Sequence, residues 1–193
     1  MLATNTLTAQ HIATAQAKAK ALADDPTFLP TMAAAFRVGD ELELNLDTVR
    51  IFQGWLADEF ASIPALVEMV PREVPLGEAV LALTRPILPG EGRVLPVSTI
   101  GNTPVEGLMT RQQNLAFRAV HDHMHAKFGA DDSWMGELAV CLGHLMTAPP
   151  QVWPILVSEV MGQVAVTLFE GEFPAQRLSR DCFRVLALVG ELF

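Results

Sequence analysis

Cysteine is scarce, with only Cys141 and Cys182 among 193 residues. Two thiols cannot build a disulfide framework, and their number fits a reducing cytoplasm. Positive charge is also short: 13 Lys and Arg stand against 22 Asp and Glu, a net charge of −9. That balance counts against broad electrostatic binding to nucleic acid or to an anionic membrane. The N-terminal stretch has no basic segment followed by a long apolar run, so no secretory signal is expected there. Internal repeats and low-complexity tracts are lacking. The least charged run, 138–158, contains His144, Pro149, Pro150 and Pro154, which argues against a membrane span. Apolar residues, in contrast, make up half the chain, and mean hydropathy is +0.30. One domain, 1–193, with a well-filled core is expected.

The pattern is mostly α. Residues 8–23 are rich in alanine with few large apolar side chains, which predicts a peripheral, lightly packed helix. Asp25-Pro26 and Pro30 punctuate the chain, and a short helical turn is expected around Met32 to Phe36, ended by Gly39. Leu46, Val49, Phe52, Trp55, Leu56 and Phe60 recur at helical spacing and predict a core helix over 46–62, closing an N-terminal helical part, 1–63. Seven of the 13 prolines fall in 64–104, so that middle segment is expected to be mixed. It has β-capable stretches at 66–70 and 93–98, a short helix over 77–83 and a turn at Pro89-Gly90-Glu91-Gly92. The two stretches can pair as a short two-stranded β element, with Pro96 on an edge.

The remaining part, 105–193, is expected to form an antiparallel helical bundle. Thr110 and Gln113 make a capping-box signature for a helix reaching Phe128 and Gly129. Asp132 or Ser133 can cap a second helix running to about Met146. A third is expected from near Val152 to Gly171, and a fourth from Pro174 to about Val189.

Four of the five histidines lie in 117–144. His121 and His125, four apart, project from one helix face and can converge on one ion. His123 lies roughly 200° around the helix from His121 and reads as a surface residue, like His11. Asp122 reads as an exposed ion pair with Arg118. Glu137, Cys141 and His144 form a stripe on the next helix. Glu137 and His144 are about 10.5 Å apart along the axis, so either two metals bind or one of these residues supports from outside. Cys141 reads as a buried small hydrophobe before a thiolate ligand. Glu159, with Gln163 four residues on, is a carboxylate isolated in an apolar helix and needs a partner.

The order AVHDHMH, GELAVCLGH, SEVMGQ resembles an uncharacterised, mainly phage-encoded protein family with AVHDxxGH, GEENAWxxH and TExxGQ motifs. The resemblance spans 52–163. His121 and Asp122 match the first motif, Gly136, Glu137 and His144 the second, and Glu159, Gly162 and Gln163 the third, and the resemblance supports His121, Glu137, His144 and Glu159 as site residues. Leu138, Ala139 and Cys141 depart from the second motif, and His125 falls where the first has glycine. The run His121-Asp122, His125, Phe128 is also similar to the HDxxHxxF stretch of HD phosphohydrolases, although His11, the only upstream histidine, lies far outside the usual spacing.

Histidine with carboxylate suits a divalent transition metal, zinc or iron first. The expected ligands are His121, His125, Glu137 and His144, with Glu159 as general base and Gln163 orienting it. Such a centre points to a metal-dependent hydrolase, in which a His/Glu-bound ion activates water against a small-molecule or phosphoester substrate. The alternatives are a non-haem iron oxidase or oxygenase, and a phage accessory or interaction protein with a structural metal. Homo-oligomerisation is compatible with all three.

Overall fold

The computed structural model describes residues 7–188. Thr8 opens α1 (Ala9–Asp24) with a capping box in which His11 is the reciprocal partner. His11 is therefore an exposed capping residue. This helix is not lightly packed as its composition predicts: Ala15 and Ala19 are fully buried. Small side chains let α1 come close to a later helix, α6. Helix α2 (Phe28–Val38) is longer than the single turn expected, because Pro30 sits in its first turn, where no intrahelical donor is needed. Helix α3 (Leu46–Ala61) follows, capped by Asn45. Phe52, Trp55 and Leu56 are buried as the spacing predicts, whereas Leu46 at the helix start is exposed.

The proline-rich segment folds as a strand–helix–strand unit of β1 (Leu66–Val70), α4 (Leu76–Thr84) and β2 (Val94–Ser98). The two strands pair in parallel, Leu66 against Val94 through Val70 against Ser98. The helical connection is what allows a parallel rather than a hairpin pairing. With two strands each has an open edge, which accommodates Pro96. Leu95 and Val97 of β2 are buried, and both α4 and β2 pack on the helix that follows, Arg111–Phe128.

Helix α5 (Arg111–Phe128) starts at the Thr110–Gln113 capping box and ends at Gly129, whose φ of 58° closes the last turn. Ser133, rather than Asp132, caps α6 (Trp134–Thr147) by accepting from Gly136 N. His125 lies beside Glu137, and Phe117 beside His144, so the two helices run in opposite directions. Helix α7 (Pro150–Glu170) packs on α6 and is covered by α2 and by α8 (Arg180–Leu188). By length and mean hydropathy (1.6) α7 could cross a membrane, but 67% of its apolar window is buried inside the fold.

Within α7, residues Val157–Gly162 widen into a π-turn, with Gln163 N donating to Ser158 O. The last helix does not begin at Pro174, because 173–178 run in extended, irregular conformation. Its first turn is set instead by Ser179, whose N–H donates to Ser158 Oγ and whose hydroxyl donates to Ala35 O. Val189, its expected end, lies outside the described residues.

Candidate metal centre

Helices α5 and α6 bring His121, His125 and Glu137 together. His121 Nε2 and His125 Nε2 are 3.1 Å apart. Glu137 places Oε2 3.3 Å from His121 Nε2 and Oε1 3.4 Å from His125 Nε2. The two contacts to Glu137 are longer than most hydrogen bonds to a carboxylate, and Glu137 Oε2 is buried with no hydrogen-bond partner. A tetrahedral ion with bonds of about 2.05 Å holds its ligand atoms about 3.3 Å apart. The three side chains therefore have a spacing that could hold a first-row transition ion, and all three candidate ligand atoms lie within 4.8 Å of one another.

The tautomer of His125 is set from outside the cluster. Its Nδ1 lies 3.2 Å from Ala130 O, an atom that can only accept, so Nδ1 carries the proton. Nε2 is the nitrogen that faces the other candidate donors. Burial of His125 is complete. The field within the group matches its geometry. Burial opposes ionisation of Glu137, yet the two imidazoles beside it hold the carboxyl well below the usual carboxylate range. Burial likewise opposes charge on His121, but the Glu137 carboxylate raises that imidazole above its ordinary value.

His144 does not join this group. It lies on the far side of the His121 ring, its Nε2 3.4 Å from His121 Nδ1. The two rings stack with 20° between their planes, while Trp55 meets His144 edge-on and Phe117 stacks on it. The expected fourth ligand is thus a partner that orients His121, consistent with the axial span separating it from Glu137. Burial, followed by the neighbouring His121 and His125 charges, drives the His144 pKa well down, so this imidazole is neutral. Its Nδ1 is buried without a partner.

Glu159 and Gln163 meet on α7 as their spacing predicts: Gln163 Nε2 donates to Glu159 Oε1 at 3.0 Å and to Gln176 Oε1 at 2.7 Å. Burial pushes the Glu159 carboxyl up to about 8, with the Gln163 hydrogen bond opposing. Glu159 and Gln163 line a cavity of about 220 Å³ with His121, Asn114, Phe117 and Phe173. Cys141 is a fully buried free thiol outside this group, its Sγ 3.8 Å from Leu156 O, and burial raises its pKa far above the usual value.

Asp122 and His123 both lie elsewhere than their sequence positions suggest. Arg118 donates to the carbonyls of Ser98, Ile100 and Gly101 and forms no ion pair with Asp122. Asp122 is half-buried, and burial lifts its carboxyl against the pull of His121 and His125. His123 is buried rather than exposed, and burial with the nearby Lys127 charge lowers it to about 4. It follows buried Ala119 and Val120 by four and three residues, a spacing that signals the inward face. A further buried carboxylate, Glu59, lies four residues after Trp55 and three after Leu56, and that spacing puts it on the core stripe of α3.

No family model, no curated protein and no solved structure matches this chain.

Proposed function

We propose that the chain holds one divalent transition ion, zinc or iron, between His121 Nε2, His125 Nε2 and the Glu137 carboxylate, and that this centre serves a metal-dependent hydrolase. The observation that carries the reading is the 3.1–3.4 Å spacing of the donors around a point where no hydrogen bond satisfies Glu137 Oε2. Two histidines and one glutamate are a zinc-hydrolase donor set, and three protein ligands leave a position for water or substrate. An ion bound there lowers the pKa of its water toward neutrality.

The residues of the chain supply the rest. His144 keeps the His121 ring in place, and Ala130 O does the same for His125. Glu159 faces the cavity that His121 lines. Because its carboxyl holds a proton at neutral pH, it suits donation to a leaving group better than the base role its sequence position suggested. Gln163 orients it. A small-molecule substrate, a phosphoester among the candidates, would occupy this cavity.

The donor set also favours a second reading. With His144 outside the cluster, two histidines and one carboxylate are the facial triad of non-haem iron(II) oxygenases. Purification without an affinity tag, followed by metal analysis of the wild type and of His121→Ala and His125→Ala, tests the centre. About one equivalent is expected in the wild type and little in either variant. Substoichiometric metal unchanged by both variants would sink the proposal. Zinc-loaded protein assayed on ester, peptide and phosphoester panels, beside iron(II)-loaded protein assayed for oxygen uptake, separates the hydrolase from the oxygenase.

A further inference from the structure

We propose that the turn joining α5 to α6 is a positioning device for the metal centre, with Gly136 as the residue that makes it possible. The inference rests on the metal reading above. The Nδ1 proton of His125 goes to one acceptor, Ala130 O, at 3.2 Å. Ala130 is tied back to the same residue, its N–H donating to His125 O at 3.1 Å. From α1, Gln16 Nε2 donates to Phe128 O at 2.9 Å and secures the helix end before the turn.

The far side of the turn is fixed by Asp131. Its Oδ1 accepts from Ser133 N at 3.2 Å and from the Ser133 hydroxyl. Ser133 Oγ in turn accepts from Gly136 N. On Gly136 itself a Cβ would overlap Asp131 O and stand 2.8 Å from Asp131 Oδ1. The carbonyl of Asp131, one residue beyond Ala130, therefore lies against bare helix backbone immediately before Glu137. One turn seats the acceptor that fixes His125 and starts the helix that delivers Glu137.

A side chain at position 136 pushes Asp131 outward and Ala130 O with it. Backbone overlap leaves no cheaper escape than movement of the turn. Without its acceptor, the His125 proton is free to move to Nε2, where it occupies the lone pair that the ion requires. Loss of an outer partner that orients a metal-bound histidine typically weakens metal affinity about 10–100-fold.

The test uses the full chain with Gly136→Ala and, because that variant can disturb folding, Asp131→Ala at an exposed position. Long-range ¹H–¹⁵N spectra of the metal-free proteins read the His125 tautomer, chelator competition reads zinc affinity, and circular dichroism reads the fold. With spectra recorded at a pH where the imidazole is neutral, the wild type is expected to show a single tautomer with the proton on Nδ1. Gly136→Ala is expected to mix tautomers and weaken zinc about 10–100-fold, with a smaller loss in the same direction for Asp131→Ala. Folded variants that keep the single tautomer and bind zinc within about twofold of wild type overturn the proposal. If Gly136→Ala fails to fold, Asp131→Ala decides alone. Wild type that binds no zinc sinks the metal reading instead, and the tautomer spectra still decide whether the turn holds His125.

Discussion

The rings of His121 and His144 lie 20° from parallel, with centroids 5.6 Å apart and His121 Nδ1 3.4 Å from His144 Nε2. This pairing decides which nitrogen of His121 faces the cluster with a lone pair. For Nε2 to bind an ion, Nδ1 must carry the proton and donate to His144 Nε2. The His144 proton then sits on Nδ1, which has no partner, so the ion-binding tautomer carries a cost that a bound ion would have to offset. Replacing His144 with Phe removes the acceptor while retaining a ring. Zinc affinity is expected to fall about 10–100-fold with the stoichiometry unchanged, as read by chelator competition. Complete loss of stoichiometric zinc would instead make His144 a ligand.

Glu137 should give the metal-free protein an acid-sensitive stability. Burial raises its carboxyl pKa, but His121 and His125 outweigh that and hold it below the unfolded value. A group with a depressed folded pKa stabilises above its unfolded pKa, about 4.3, and loses that contribution as pH falls. Urea unfolding with chelator present should show Glu137→Gln less stable than wild type by about 3 kcal/mol at pH 7. The gap should narrow steadily below pH 5. A gap independent of pH would contradict the charge pairing.

Glu159 should behave in the opposite sense. Its folded pKa, about 8, lies above the unfolded value, so the folded state keeps a proton that the unfolded state releases. Its contribution to stability therefore declines as pH rises from about 4.3 to 8 and is flat beyond. Glu159→Gln removes that slope. In metal-free protein at pH 9 the variant should be more stable than wild type by about 1–3 kcal/mol, with little difference at pH 5. Thermal melts at the two pH values check this.

How far the sequence reveals these relationships differs from residue to residue. The His121–His125 spacing places two imidazoles on one face whatever surrounds the helix, and Glu159 stands out by isolation in an apolar stretch, so the placement of both was legible. The place of His144 was not. Helix spacing gives its distance along α6 from Glu137, but only the packed pair shows that the His121 ring comes between them. The depth of His123, in contrast, is written in its spacing from Ala119 and Val120, which the angle from His121 alone passes over. In the fold, capping residues marked the starts of α5 and α6 closely. Proline misled in both directions: Pro30 lies inside α2, while Pro174 opens no helix because Ser158 and Ser179 set the start of α8. Alanine in α1 concealed its tight packing, since composition records side-chain size and not the closeness of approach.

That packing has its own consequence. With Ala19 fully buried in the core against which α6 packs, Ala19→Leu should overpack the interface and cost about 1–3 kcal/mol. A fall in Tm of about 2–4 °C per kcal/mol is expected for a chain of this size. An unchanged Tm would mean that α1 is free to move off α6.

The most direct test of the centre is an anomalous difference map from crystals grown with one equivalent of zinc, recorded on both sides of the zinc edge. A single strong peak is expected about 2.0–2.2 Å from His121 Nε2, His125 Nε2 and a Glu137 oxygen, with His144 outside bonding distance. Density showing His121 and His125 hydrogen-bonded to Glu137 with no peak between them, in crystals that hold zinc elsewhere or not at all, would contradict it.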